Sequence, residues 1–371
     1  MKKIVSLIIA LPVVAVLGYL LFKPVPIAPM PYTLEANPGY TGIHASNTRL
    51  ANLQVIKLHG EVGAETIAIG PDGKLYTGVE SGNIVRMNAD GSEQSAFAYT
   101  DGRTLGLAFD AQGNLIAADA LRGLLSIDPE GKITVLTNQV NGEVLLFTDA
   151  VTVAKNGKIY FTDASTRFGP GASGSTMEAS ILDLMENSAT GRVLEYDPAT
   201  KATRIVAHGL SFANGIVMSQ DESALLVNET GRYRVWKISA AANNLDMQTL
   251  DAQSAAQASV LLDNLPGYPD NLTRGLDGKI WLGFAAMRTA DLDRFAKMPW
   301  ARKVILRLPR KLWPIPKPYG HVMAFTEDGK VVADLQDPSG AYPETTGVTE
   351  TKDHLYIQSL HAKTLGWMAN K

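Results

Sequence analysis

The chain of 371 residues contains no cysteine. That absence excludes disulfide bonds, thiol catalysis and thiolate-held zinc or iron–sulfur centres, and it leaves the compartment open. An excess of charge of one sign is also lacking. Lys and Arg number 34 against 37 Asp and Glu, a net charge of −3, so there is no basic footprint for a nucleic-acid partner. The familiar catalytic signatures are missing: no G-x-S-x-G elbow, no H-E-x-x-H, no P-loop and no dinucleotide fingerprint. Histidine is sparse. His44, His59, His208, His321, His354 and His361 show no pair at zinc-ligand spacing, and each reads as structural.

What is present begins with one long apolar run. Lys2 and Lys3 precede IVSLIIALPVVAVLGYLLF, residues 4–22, which carries no charge. At about 1.5 Å per residue this run comes close to a ~30 Å hydrocarbon core. Pro12 can kink such a helix without forbidding it. The sequence predicts a transmembrane signal-anchor helix over 4–22, with residues 1–3 as a cytoplasmic tip and the body extracytoplasmic (periplasmic in a bacterium, lumenal or extracellular otherwise). A cleaved signal peptide is the competing reading. Five prolines in KPVPIAPMPYTLEANPG then predict a stiff, extended tether over 23–50.

From residue 51 a polar turn followed by a short apolar strand recurs. The copies are GPDGKLYTGV (70–79), DAQGNLIAADA (110–120), AKNGKIYFTDA (154–164), SQDESALLVNE (219–229), GLDGKIWLGFA (275–285) and ETKDHLYIQSL (350–360). Each reads as part of a β-hairpin, and the apolar residues lack a helical period. Six copies predict an all-β fold, a six-bladed β-propeller over 51–371. Two inserts interrupt it. Residues 167–191 lead into a short helical stretch around Met177 to Met185. Residues 288–319 hold nine Lys or Arg against two Asp. This second insert reads as a solvated loop with a basic outer strand; a lid, or a patch on an anionic membrane surface, is the alternative.

Polar residues recur just upstream of these strands: Glu65 in GAET, Thr148 and Asp149 in FTDA, Asn214 in FANG, Asp270 and Asn271 in GYPDN. Gly215 reads as the residue that lets the chain turn into the channel strand. In a propeller the innermost strands line one channel, so residues at their starts converge at one mouth. The carboxylates of Glu65 and Asp270 and the amides of Asn214 and Asn271 are hard oxygen ligands that suit Ca²⁺ or another divalent cation. Without a cation Glu65 and Asp270 would repel each other. Turn capping explains each residue singly, but not all of them at equivalent places.

The segments GAETIA, IYFTDASTRFG, GRVLEYDP, FANGIVMS and GYPDNLTRGLDGKIWLG together resemble the strictosidine synthase-like and adipocyte plasma membrane-associated family. More remote similarity reaches gluconolactonases, regucalcin and the paraoxonases. The resemblance covers about 60–371 and implies a metal-dependent esterase or lactonase site. By motif it implies Glu65, Asn214, Asp270, Asn271 and the third-blade position Thr148 as ligands of Ca²⁺, with Asp270 as the catalytic base or nucleophile. Three positions depart from the relatives. Thr148 stands where an Asn is usual, Leu105 stands near a paraoxonase His, and Gly347 stands where strictosidine synthase relies on a Glu.

The expectation is therefore a membrane-anchored hydrolase of small-molecule esters or lactones. Phe147 and Phe212 beside the ligands favour an aryl or acyl ester over a sugar acid. A non-catalytic propeller that binds a small molecule or a partner protein is the alternative. A strictosidine-type condensing enzyme is disfavoured by Gly347.

Overall fold

The computed structural model describes residues 12, 14–251 and 254–370. Among the described residues six sheets are each built on a four-stranded antiparallel meander; Leu245–Asp246 adds a parallel edge strand to Ala202–Leu210, and Gln139–Val140 with Glu143–Val144 forms a separate two-stranded ribbon. Their innermost strands are Ile67–Ile69, Thr104–Phe109, Thr148–Val153, Ala213–Met218, Gly267–Arg274 and Thr345–Glu350, which we number as blades 1 to 6. Each repeated segment supplies the turn and the second strand of its blade. In the fourth, Ala213–Met218 pairs with Ala224–Glu229 across a turn whose Asp221 carboxylate accepts from Ser219 and Ser223.

Blade 6 borrows its outermost strand from the start of the chain. Gln54–Lys57 pairs antiparallel with Thr364–Ala369 and closes the ring. Side chains also stitch neighbouring blades together. Thr162 Oγ1 of blade 3 donates to the Asn214 carbonyl at 2.8 Å, and Thr230 Oγ1 of blade 4 donates to the Pro269 carbonyl at 2.7 Å. Thr346 Oγ1 of blade 6 donates to the Glu65 carbonyl at 2.7 Å. Apolar clusters fill the wedges between blades. The wedge of blades 3 and 4 buries Val193, Val206, Ile216, Leu225 and Trp236, and burial of this kind is worth roughly 1.5–3 kcal/mol per large side chain.

Gly215 does not turn the chain, as its sequence context suggested. It lacks a positive φ. Instead its innermost strand runs against that of blade 5, where a Cβ would lie 2.4 Å from Leu272 N and 2.5 Å from the Asp270 carbonyl oxygen. Only glycine permits that approach.

Both inserts leave their blades between the second and third strands. Because first and second strands are antiparallel, these loops emerge at the end where the first strand begins. The first insert holds helices Pro170–Ser173 and Thr176–Glu186. The latter is capped by Ser175, whose side chain accepts from Glu178 N, and is stopped by Asn187 in the left-handed region. The second insert holds helices Ala290–Arg294 and Pro299–Arg307, so the expected basic outer strand is instead a helix that starts at a proline and buries Ala301, Arg302 and Ile305.

Residues 4–11 and 13 of the expected 4–22 span lie outside the described residues. Residues 14–22 are helical, and among the described residues no helix is long and apolar enough to cross a membrane. Residues 23–50 form no strand and no helix beyond the short turn Gly42–His44, and they lie docked along the propeller. Met30 N donates to the Glu186 carbonyl at 2.9 Å and Tyr32 N to the Ala296 carbonyl at 3.1 Å. Arg288 donates to the Glu35 carbonyl at 2.6 Å, and Leu50 N to the Gln336 carbonyl at 3.0 Å.

Candidate metal and catalytic site

One extra residue sits in the innermost strand of blades 2 to 6, close to the channel mouth. Thr148 pairs with Asp163 and Val151 with Phe161; Ala213 pairs with Glu229 and Ile216 with Val227; Pro269 pairs with Phe284 and Leu272 with Leu282. Between these pairs two residues on the inner strand face one on its partner, which is a β-bulge. Counting from these pairs, Asp149, Asn214 and Asp270 occupy the same bulge position. Leu105 and Thr346 hold it in blades 2 and 6.

Glu65, Leu105, Asp149, Asn214 and Asp270 all line one cavity of about 500 Å³. Phe147 and Phe212 form its wall, with ring centroids 5.3 Å apart. Leu184, Met185, Ile305 and Trp313 of the two inserts cover it, and Tyr32 of the N-terminal segment joins them. Phe212 adopts φ +60°, a conformation that costs an aromatic residue about 1–2 kcal/mol.

The structure redistributes the residues singled out in the sequence. Glu65, Asn214 and Asp270 come together. In blade 3 the residue that lines the cavity is Asp149, not Thr148. Thr148 precedes the bulge, at the place held by Ala213 and Pro269, and its Oγ1 is buried without a partner. Asn271 follows Asp270 and donates its amide to the Glu65 carbonyl at 3.0 Å, so it positions the neighbouring strand.

Two residues carry no motif and were missed. Arg103 of the loop before blade 2 reaches Glu65 Oε2 at 3.0 Å and the Gly63 carbonyl at 3.1 Å, with both charged groups buried. His361 of the last blade lines the cavity rim. Its Nδ1 lies 2.7 Å from Glu344 Oε2, and that partner raises its pKa. Periodicity gives no sign of either, because both lie in loops. Glu350, by contrast, is spent on Trp281 Nε1 and Lys279 Nζ and does not reach the cavity.

The carboxylates are costly to hold charged. Burial raises Asp149 and Asp270 well above the usual carboxylate range, and Glu65 adds repulsion to both. Burial raises Glu65 as well and outweighs the Arg103 guanidinium. Asp149 Oδ1, Asn214 Oδ1 and Asp270 Oδ1 have no hydrogen-bond partner. Three carboxylates against one guanidinium leave a formal charge of −2 among oxygen donors. That donor set fits a hard divalent cation.

The strictosidine synthase-like N-terminal profile matches residues 42–87, and the strictosidine synthase profile matches residues 149–242. Strictosidine synthase-like protein 13 of Arabidopsis thaliana is 34% identical over 301 residues, 79% of this chain and 69% of that protein. The adipocyte plasma membrane-associated protein of Salmo salar is 31% identical over 367 residues, 92% of this chain and 83% of that protein. Among solved structures, a gluconolactonase from Xanthomonas campestris superposes with a TM-score of 0.60 at 18% identity, covering 87% of this chain and 91% of the other. A calcium-binding protein, regucalcin, from Agrobacterium tumefaciens superposes with a TM-score of 0.51 at 14% identity, covering 83% and 92%. Likeness at such identities establishes the six-bladed fold. With the two curated relatives above 30% identity over most of their length, the chain belongs to the strictosidine synthase-like family.

Proposed function

We propose that this protein is a divalent-cation-dependent hydrolase of small ester or lactone bonds, anchored through residues 4–22 with its propeller outside the cytoplasm. The observation that carries the reading is the set of unpartnered buried oxygens on Asp149, Asn214 and Asp270, beside Glu65, at the floor of an apolar cavity. These four residues would hold Ca²⁺, with Asn271 fixing the Glu65 strand and Thr148 behind Asp149. When bound, the cation supplies a Lewis acid for a carbonyl oxygen.

The remaining chemistry belongs to the chain. The acyl or aryl part of the substrate lies against Phe147, Phe212 and Leu105. Asp270 takes a proton from water as that oxygen attacks the carbonyl. The alkoxide leaves with the proton that His361 holds at the rim, where Glu344 stabilises the imidazolium. The insert helices keep bulk water off the floor. Anchoring is supported by Val14, Leu17, Leu21 and Phe22, which are exposed, and by Trp300, 65% exposed on the second insert. Arg307 links the two regions by donating to the Leu20 and Lys23 carbonyls at 2.9 and 2.6 Å.

Turnover of phenyl acetate and a lactone panel, with and without Ca²⁺ and then in Asp270→Asn, tests the reading. Turnover indifferent to both chelator and substitution would sink it. Arg103 favours a second reading, since a guanidinium already neutralises Glu65 without metal. In that reading the cavity only binds a small apolar ligand, and Ca²⁺ produces neither turnover nor a thermal shift.

A further inference from the structure

The N-terminal segment carries one of two imidazoles that meet a single carboxylate, and none of the three residues lines the channel cavity. His44 ends the short turn Gly42–His44, His321 lies on the third strand of blade 5, and Asp334 lies on the fourth. His44 Nδ1 is 2.7 Å and His321 Nε2 is 3.0 Å from the same Asp334 Oδ2. The three ligand atoms lie within 4.8 Å of one another, and all three residues are buried.

We propose that His44, His321 and Asp334 form a structural zinc site that pins the N-terminal segment to blade 5. Two imidazoles and one carboxylate suit Zn²⁺ or a similar first-row ion rather than Ca²⁺. Two further features point to a metal. Asp334 Oδ1 is held by amides of Asn47, at 3.4 Å, and Gln336, the outer support a ligating carboxylate needs. The Tyr40 hydroxyl is buried without a hydrogen-bond partner, and its ring lies 5.3 Å from that of His321. A tetrahedral ion there would take its fourth ligand from that hydroxyl or from water. The spacing His44…His321 hid this site from the sequence, because only the docking of residues 23–50 brings the two together.

The test uses the full chain, stripped with a strong chelator and then titrated with Zn²⁺ or Co²⁺ while circular dichroism reports folding. The expected result is one equivalent of Zn²⁺ per chain, a tetrahedral Co²⁺ spectrum, and protection of residues 23–50 from protease that Zn²⁺ restores and Ca²⁺ does not. His44→Gln, which lies outside the blade strands, loses that equivalent, and Asn47→Ala binds about tenfold more weakly. Asp270→Asn keeps it, which separates this site from the channel. Absence of stoichiometric uptake by the folded wild-type chain overturns the proposal. So does uptake unchanged in both His44→Gln and Asp334→Asn, which leaves a hydrogen-bonded triad and no metal.

Discussion

Arg103 and Glu65 form a buried ion pair at the floor of the cavity, 3.0 Å from nitrogen to oxygen, and the same guanidinium nitrogen reaches the Gly63 carbonyl. One side chain thus fixes both the charge and the backbone of the segment that delivers Glu65. Replacing Arg103 by Met leaves a buried carboxylate without its partner. The expected loss of stability is about 3–5 kcal/mol, read by denaturant unfolding. On the metal reading, added Ca²⁺ recovers part of it. A stability unchanged by the substitution would show that the pair is not formed.

Asp270→Asn should separate activity from folding. It removes one of three mutually repelling carboxyls, so the metal-free protein should be at least as stable as wild type by thermal melting. Esterase or lactonase turnover should fall by about a hundredfold or more. A variant that loses stability and keeps turnover contradicts both halves.

The channel carboxyls set a pH dependence. Asp149 and Asp270 have folded pKa values above their unfolded value of about 3.9. In the window above that value the native state binds more protons than the unfolded state, so metal-free stability falls as pH rises. A cation competes with those protons. Affinity for Ca²⁺ should therefore rise with pH, measured by calorimetry between pH 5 and 8 as about 1–2 protons released per ion.

Asp183 gives an independent check outside the channel. It sits on the Thr176–Glu186 helix, fully buried, and burial raises its pKa to about 7 against the lowering effect of the Ser165 hydroxyl. The sign is the same: the cost is absent below about pH 4 and complete above pH 7. Asp183→Asn should raise the melting temperature at pH 8 and leave it unchanged near pH 4. The gain is bounded at about 4 kcal/mol, at about 1.36 kcal/mol for each tenfold change in proton affinity.

Gly215→Ala puts a methyl group 2.4 Å from Leu272 N. The strands of blades 4 and 5 must separate, which costs about 1–3 kcal/mol. The displaced strand is the one carrying Asp270, so Ca²⁺ affinity should fall together with stability. Turnover and affinity matching wild type would show that the seam does not set the site.

The hairpins were legible because turn and strand are local. Asp, Asn and Gly in GPDGKLYTGV or AKNGKIYFTDA announce the turn wherever the blade sits. Glu65, Asn214 and Asp270 were legible by position, since each stands near the start of an innermost strand. Facing was not. The bulge between Thr148 and Val151 breaks the two-residue alternation, and that one inserted residue moves the channel position from Thr148 to Asp149. Arg103 and His361 follow no period, and the helix at Pro299–Arg307 was hidden by a run of Lys and Arg that reads equally well as an exposed strand. The pairing of Gln54–Lys57 with Thr364–Ala369 joins the two ends of the chain, and no local pattern reports it.

That pairing also decides how the protein carries mechanical load. A pull on the N-terminus would reach the propeller through Gln54–Lys57, an edge strand held by one neighbour. Before it arrives there, the force must strip the backbone of residues 28–50 from Arg288, from Gln336 and from the Asp334 cluster. The N-terminal segment is a strain relief, like the clamp on a cable. Tension applied at the start of the chain is dissipated over the surface of the propeller before it can open the ring.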